Sequence, residues 1–237
     1  MRSWITGLLA TAAVFTAPAV ADASSLQITP VNIEVPAPGA ASKVTLANAG
    51  SEQLSAQIRV FKWVQKNGKD VLEETREVVA SPPAMKLGPG KKSVIRVVRV
   101  SKTPAAKEES YRLIVDEIPA PPKPGQAGVG FAIRYSVPVF FSKPGEDVDL
   151  KWKATVTNGQ LTLKAENAGG RRIRLAALKA VGSNGKSVSF GSGLSGYVLG
   201  QSLKTWTAKA KSIAPGGTIK IVAQGDNGPI EATAKVQ

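Results

Sequence analysis

The 237 residues include no cysteine and no histidine. That excludes disulfide stapling, Ser-His-Asp and Cys-His nucleophilic sites, and zinc held through imidazole or thiolate. The 31 Lys and Arg against 17 Asp and Glu give a formal net charge of +14. Such a surface suits acidic partners, peptide carboxylates or anionic membrane surfaces among them. No aromatic-basic module or zinc-finger spacing accompanies it that would point to nucleic acid.

The chain opens with Arg2, runs apolar from Ile5 to Val20, and then places small residues at Ala19, Ala21 and Ala23. This is the pattern of a secretory signal peptide over residues 1–23, removed to leave an exported chain. The apolar run is too short to span a bilayer comfortably, which takes about 20 residues, so no membrane insertion is expected. About 214 residues remain, enough for two domains of about 100 residues each or one larger β domain.

From there the chain reads as strands. Residues 26–35 alternate apolar and polar up to Pro36, and 43–48 follow, closing in a turn at residues 49–51. Residues 55–64 form a third strand, turned by Asn67-Gly68, a strong hairpin signal. Short runs near Val78 and over 93–100 are separated by Ser81-Pro-Pro83 and Leu87-Gly-Pro-Gly90. Residues 110–118 lead into a Pro/Gly-rich loop, 119–128, and then into the most strongly patterned stretch, residues 128–141.

Its odd positions are Val129, Phe131, Ile133, Tyr135, Val137, Val139 and Phe141, and its even positions are mostly small or polar. That is a strand with one apolar face, longer than the usual five or six residues. Pro138 lacks an amide hydrogen and confines that position to an edge, a bulge or a strand end. A long, partly unpaired apolar strand invites association. Either its own fold covers it, or pairing with another chain is its task.

Residues 143–147 read as a linker, and a second series of strands runs from 148 to 237, with turns at Asn158-Gly159, Gly169-Gly170 and Asn184-Gly185. Turn signals recur every 8–12 residues without helical periodicity, the pattern of immunoglobulin-like sandwiches. The expected fold is therefore all-β, with one sandwich over 24–142 and another over 148–237. The halves share rhythm rather than letters. Glu146-Asp-Val-Asp149 is the only cue for a metal, and its spacing fits no calcium-loop template. Neither a catalytic set nor a cofactor is expected.

Five stretches in order carry a resemblance: Ser81-Pro-Pro83, Leu87-Gly-Pro-Gly-Lys-Lys-Ser-Val-Ile-Arg96, Glu109-Ser-Tyr-Arg-Leu-Ile-Val-Asp-Glu-Ile-Pro119, Arg134-Tyr-Ser-Val-Pro-Val-Phe-Phe141 and Gly225-Asp-Asn-Gly228. Together they resemble the periplasmic pilus-assembly chaperones of the chaperone/usher pathway, the PapD-like family. The resemblance implies a boomerang of two immunoglobulin-like domains in the Gram-negative periplasm. It implies pilin subunits and an outer-membrane usher as partners, and leaves self-association of the free chain open. In this family a chaperone strand completes the unfinished sandwich of a pilin, a form of strand addition.

Carried onto this chain, the lent side chains are Val129, Phe131 and Ile133, with Tyr135 as a fourth. Val137, Val139 and Phe141 remain core residues. The family's two basic residues for the subunit's C-terminal carboxylate fall at Pro30 and Pro138, which cannot serve. This departure resembles the archaic, Csu-type branch. Arg112 and Arg134 are the candidate replacements, since an arginine can clamp a carboxylate through two parallel hydrogen bonds. The resemblance further implies an interdomain ion network of Glu109, Lys143 and Asp226, and an usher-facing surface that includes Ser81 and Arg96.

Overall fold

The computed structural model describes residues 26–103, 105–119, 132–210 and 212–237. The expected signal peptide and the start of the long strand, with Val129 and Phe131, lie outside the described residues. Everything regular among the described residues is β, in two immunoglobulin-like sandwiches with separate apolar cores.

The first sandwich begins with a break. What reads as one strand over 26–35 is two, β1 (Leu26–Thr29) and β2 (Ile33–Pro36). β1 runs antiparallel to β3 (Ala41–Asn48), whereas β2 joins the opposite sheet. Pro30 has no amide hydrogen to continue the ladder, so the pairing ends at Thr29 and the chain crosses between sheets at residues 30–32. Alternation survives the crossing, because Leu26, Ile28, Ile33 and Val35 are all buried in one core.

The chain continues as β4 (Leu54–Lys66), β5 (Lys69–Glu74), β6 (Val78–Ser81), β7 (Ala84–Leu87), β8 (Lys92–Arg99), β9 (Glu109–Ile118) and β10 (Arg134–Ser142). One sheet has the order β1-β3-β8-β6. The other runs β2-β10-β9-β4-β5, with β7 also on β4.

The second sandwich comprises β11 (Leu150–Thr157), β12 (Gln160–Asn167), β13 (Ile173–Gly182), β14 (Ser187–Ser189), β15 (Leu194–Val198), β16 (Ser202–Lys209), β17 (Thr218–Gly225) and β18 (Gly228–Lys235). Its sheets are β11-β12-β16 and β14-β13-β17-β18, with β15 on β13. Gln237 then bonds in both directions to β11, donating to the Ala154 carbonyl and accepting from the Val156 amide.

One device occurs in both halves. Asn48 ends β3 and Asn167 ends β12, each followed by Ala-Gly and each buried. The Asn48 amide nitrogen donates to the carbonyls of Glu52, Leu87 and Gly88, and its oxygen accepts from the Gly50 amide. Asn167 repeats this, donating to Arg171, Val198 and Leu199 and accepting from Asp149 and Gly169. A buried asparagine so fully bonded satisfies backbone groups that would otherwise lie unpaired in a dry turn.

The sandwiches meet along the β4–β5 hairpin. Gln65 donates to the Tyr197 carbonyl at 2.7 Å and accepts from the Leu199 amide at 3.0 Å. At the tip, the Thr205 amide donates to the Gly68 carbonyl at 3.1 Å. Gly68 has φ +78°, and a Cβ there would sit 2.2 Å from Thr205 Oγ1. Gly68→Ala is therefore expected to separate the hairpin from β16 and destabilise the protein by about 1–3 kcal/mol. Urea unfolding measures that loss, and small-angle scattering detects a changed interdomain angle.

Candidate functional site

β10 has two kinds of edge. Antiparallel to β9, it is paired throughout, from Arg134 opposite Asp116 to Phe141 opposite Glu109. On the other side β2 covers only Val139 to Ser142. Because the chain crosses sheets at residues 30–32, no strand among the described residues pairs with that side from Arg134 to Pro138.

Backbone direction matters here. The Ile133 carbonyl accepts from the Glu117 amide of β9, and an antiparallel ladder bonds alternate residues to the same neighbour. Tyr135 and Val137 thus bond toward β9, while the amides of Arg134 and Ser136 point to the open side. Pro138 belongs to the open-side set, so its missing donor costs no bond to β9. The same parity puts Val137, Val139 and Phe141 into the core. Tyr135 is half-buried against that core, and its hydroxyl donates to the Leu26 carbonyl at 2.7 Å. Its side chain is engaged within its own sandwich. Ile133 is half-buried where β10 begins.

Beside the open edge lies a cleft between the sandwiches, about 1040 Å³, lined by Arg112, Ser136, Pro138, Arg172, Arg174 and Tyr197 among others. Arg112 is the cleft cation without a carboxylate. Arg171 pairs with Glu34, Arg172 with Glu34 and Glu108, and Arg174 with Asp226. Among the described residues Arg112 makes no salt bridge. Its guanidinium lies 3.7 Å from the Trp63 ring and donates only to the Ser136 carbonyl, at 3.3 Å. Burial pulls its pKa below the usual guanidinium range, with Tyr197 and Asp70 opposing. A desolvated, aromatic-stacked cation with unused donors is well suited to a carboxylate.

Arg134 is placed differently from expectation. Four residues from Pro138, it is about 13 Å along the strand and is not part of the cleft lining. Its guanidinium bonds Asp116 directly across the ladder, and Asp116 also holds Arg59. Burial raises the Asp116 pKa, but these two bonds outweigh it and hold the carboxyl below 3.8. Arg134 is thus paired with Asp116 on the outer face, away from the cleft.

The expected ion network needs a second correction, because Glu109, Lys143 and Asp226 are not brought together. Glu109 pairs with Arg99 at 2.7 Å and accepts from the Tyr111 hydroxyl. Lys143 reaches the Ala106 carbonyl, and Asp226 holds Arg174 within the second sandwich. The network that joins the sandwiches is Glu34–Arg172–Glu108, extended by Arg171. The Glu108 amide also donates to Glu146. Glu108 and Glu109 are neighbours at the start of β9, and alternation sends them opposite ways. The sequence shows the pair of carboxylates but not which one faces the second sandwich. Arg172 further stacks on Phe140, 3.5 Å from its ring, beside an aromatic cluster of Trp63, Phe140 and Tyr197.

Ser81 and Arg96 stand opposite each other across the β6–β8 ladder, both exposed.

Residues 25–145 match the family model of pili and flagellar-assembly chaperones, PapD N-terminal domain. No curated protein sequence matches the chain. Among solved structures, the chain is similar to a chain of the CsuC–CsuE chaperone–tip adhesion subunit pre-assembly complex of archaic Csu pili from Acinetobacter baumannii. That match has 29% identity and a TM-score of 0.71, covering 90% of this chain and 100% of that one. In fold it is also similar to the Escherichia coli chaperone DraB, with 18% identity, TM-score 0.58 and coverage of 90% and 97%. The Salmonella enterica SafA pilin–SafB chaperone complex matches with 19% identity, TM-score 0.62 and coverage of 90% and 97%. A family model spanning the whole first sandwich, and a fold shared across both, lead to one conclusion: the chain belongs to the pili and flagellar-assembly chaperones.

Proposed function

We propose that this protein is a periplasmic chaperone that holds pilin subunits by donor-strand complementation and hands them to an outer-membrane usher. The observation that carries this reading is the open side of β10 from Arg134 to Pro138, which ends beside Arg112 in the interdomain cleft. A subunit strand added there gains backbone hydrogen bonds along the edge. Val129, Phe131 and Ile133 fill the subunit's groove, each large side chain worth about 1.5–3 kcal/mol when fully buried. The subunit's terminal carboxylate takes Arg112. Ser81 and Arg96, exposed on the β6–β8 edge, face the usher.

The CsuC–CsuE complex supports this reading, as a relative at 29% identity described with a tip subunit. Tyr135 supplies backbone rather than side chain, since its ring and hydroxyl are taken up by its own sandwich.

Co-expression with a pilin subunit in the periplasm tests the proposal. Phe131→Asp is expected to reduce the recovered subunit at least about tenfold, because a carboxylate in an apolar groove loses its hydration without a partner. Equal recovery with the Asp variant would overturn the assignment.

A further inference from the structure

Positive charge is shared unevenly between the sandwiches. Residues 148–237 carry 13 Lys and Arg against four Asp and Glu, whereas residues 24–147 carry 17 against 12. The three arginines of the second sandwich, Arg171, Arg172 and Arg174, line the cleft and are paired with carboxylates. The remaining excess is lysine alone.

Four of these lysines share the outer face of the β11-β12-β16 sheet. Leu161, Leu163 and Ala165 of β12 are buried in the core, so Thr162, Lys164 and Glu166 between them point outward. Strand register assigns the neighbours. Lys153 lies directly opposite Lys164, and Thr155, Thr162 and Thr207 form a row across all three strands. Lys209 stands opposite Gln160 at one end, and Lys151 opposite Glu166 at the other. Like charges directly opposite one another destabilise a sheet. Nothing relieves this pair, since neither Lys153, Lys164 nor Lys209 has an ion pair or side-chain hydrogen bond among the described residues. Lys151 reaches Asp149 only at 3.8 Å. Glu166 is the one carboxylate on these three strands.

Residue types narrow the occupant. The face has no aromatic side chain and no arginine, in which protein interfaces are enriched, and is built on lysine, which they avoid. Lysine is a hydrated point charge without the planar fork that clamps a single carboxylate. An array of such charges on an open sheet, set among threonine hydroxyls, suits an extended anionic plane.

We propose that this face docks the protein on an anionic lipid membrane, its lysines meeting lipid phosphates with no part of the chain crossing the bilayer. Each lysine close to such a surface strengthens attachment about fivefold. The attraction fades within a Debye length, about 10 Å at 0.1 M salt. None of the four lysines lines the interdomain cleft, so attachment leaves the cleft and the open edge of β10 accessible. The inference stands independently of the pilin-binding function.

Co-sedimentation of the purified protein with lipid vesicles tests it. Vesicles of phosphatidylcholine and phosphatidylglycerol in equal parts are compared with phosphatidylcholine alone, at low and at high salt. The wild-type protein is expected to sediment with the anionic vesicles at low salt, to be released at high salt and to ignore the neutral ones. K153Q/K164Q/K209Q is expected to bind the anionic vesicles about 100-fold more weakly. Its urea midpoint should be no lower than that of wild type, because the opposed pair is gone. K179Q/K186Q/K235Q removes the same charge from exposed positions off this sheet and is expected to stay within about fivefold of wild type. Equal losses for the two variants would overturn the inference, leaving net charge as the cause. Wild type that does not sediment with anionic vesicles would overturn it too. Capture of hexaglutamate by wild type without vesicle binding would likewise overturn it and mark the face for an acidic protein. Recovery of a co-expressed pilin subunit should be the same for K153Q/K164Q/K209Q and wild type, so this inference and the proposed function fail separately.

Discussion

Arg112→Ala is expected to abolish stable recovery of a pilin subunit while leaving the chaperone folded. Arg112 is the cleft cation with no carboxylate partner among the described residues, and it is held in place by stacking on Trp63. Removing one partner of a desolvated charge pair costs about 2–5 kcal/mol, roughly 30-fold to several-thousand-fold in affinity. The free chaperone loses the cation–π contact, worth about 0.5–2 kcal/mol, and one long hydrogen bond to the Ser136 carbonyl. Arg112→Lys is expected to fall between wild type and alanine, since an ammonium keeps the charge but not the planar two-point geometry. Substituting the exposed Lys179 on β13 provides the comparison of equal charge loss away from the cleft. Subunit recovery for Arg112→Ala equal to that for Lys179→Ala would remove Arg112 from the site.

The second large effect concerns the joint between the sandwiches. Arg172→Met is expected to destabilise the protein by about 3–5 kcal/mol in urea unfolding, because it strands the Glu108 carboxylate in a dry interface. Glu108 and Arg172 are both buried. Arg172 bonds Glu108 through both its backbone amide and its guanidinium, and also bonds Glu34. Burial already pushes the Glu108 pKa above 4.5, with Arg172 pulling it back.

The sign of the pH dependence follows. A carboxyl whose pKa is raised on folding contributes most below its unfolded value and loses that contribution as pH rises through its folded value. Without Arg172 the folded value rises further, so the deficit of Arg172→Met is expected to be larger at pH 8 than at pH 5. Adding Glu108→Gln to Arg172→Met should recover part of the loss at pH 8 and little at pH 5. A deficit independent of pH would mean that packing on Phe140, rather than the stranded charge, sets the cost.

Much of this architecture is visible in residue periodicity. β12 and β17 alternate because one face meets a core and the other meets water, and the Asn67-Gly68 and Asn158-Gly159 turns mark the β4–β5 and β11–β12 hairpins directly. Pairing partners are another matter. Nothing local in residues 26–35 reveals that Pro30 sends one half to β3 and the other to β10, yet that crossing is what leaves the β10 edge open. The recurrence of Asn-Ala-Gly at Asn48 and Asn167 is a signal the rhythm alone passes over, and it marks the same buried turn in both sandwiches.

The site divides in the same way. Arg112 is recoverable from its place on β9 opposite Pro138. Arg134 looks equivalent until its neighbour Asp116, 18 positions away in the chain, is seen to occupy it. The choice of Glu108 over Glu109 depends on where β9 begins, and the place of Tyr197 beside Trp63 and Phe140 depends on contacts across the interdomain joint. Those are facts of three-dimensional proximity that strand patterning does not encode.

Residue-resolved amide hydrogen exchange along β10 addresses the account most directly. In the free protein the amides of Tyr135 and Val137, bonded to β9, are expected to exchange slowly, and those of Arg134 and Ser136 quickly. With a pilin subunit bound, Arg134 and Ser136 should become protected by about 100-fold or more, as buried ladder bonds are, with Tyr135 and Val137 little changed. Unchanged exchange at Arg134 and Ser136 in the complex would contradict strand addition at this edge.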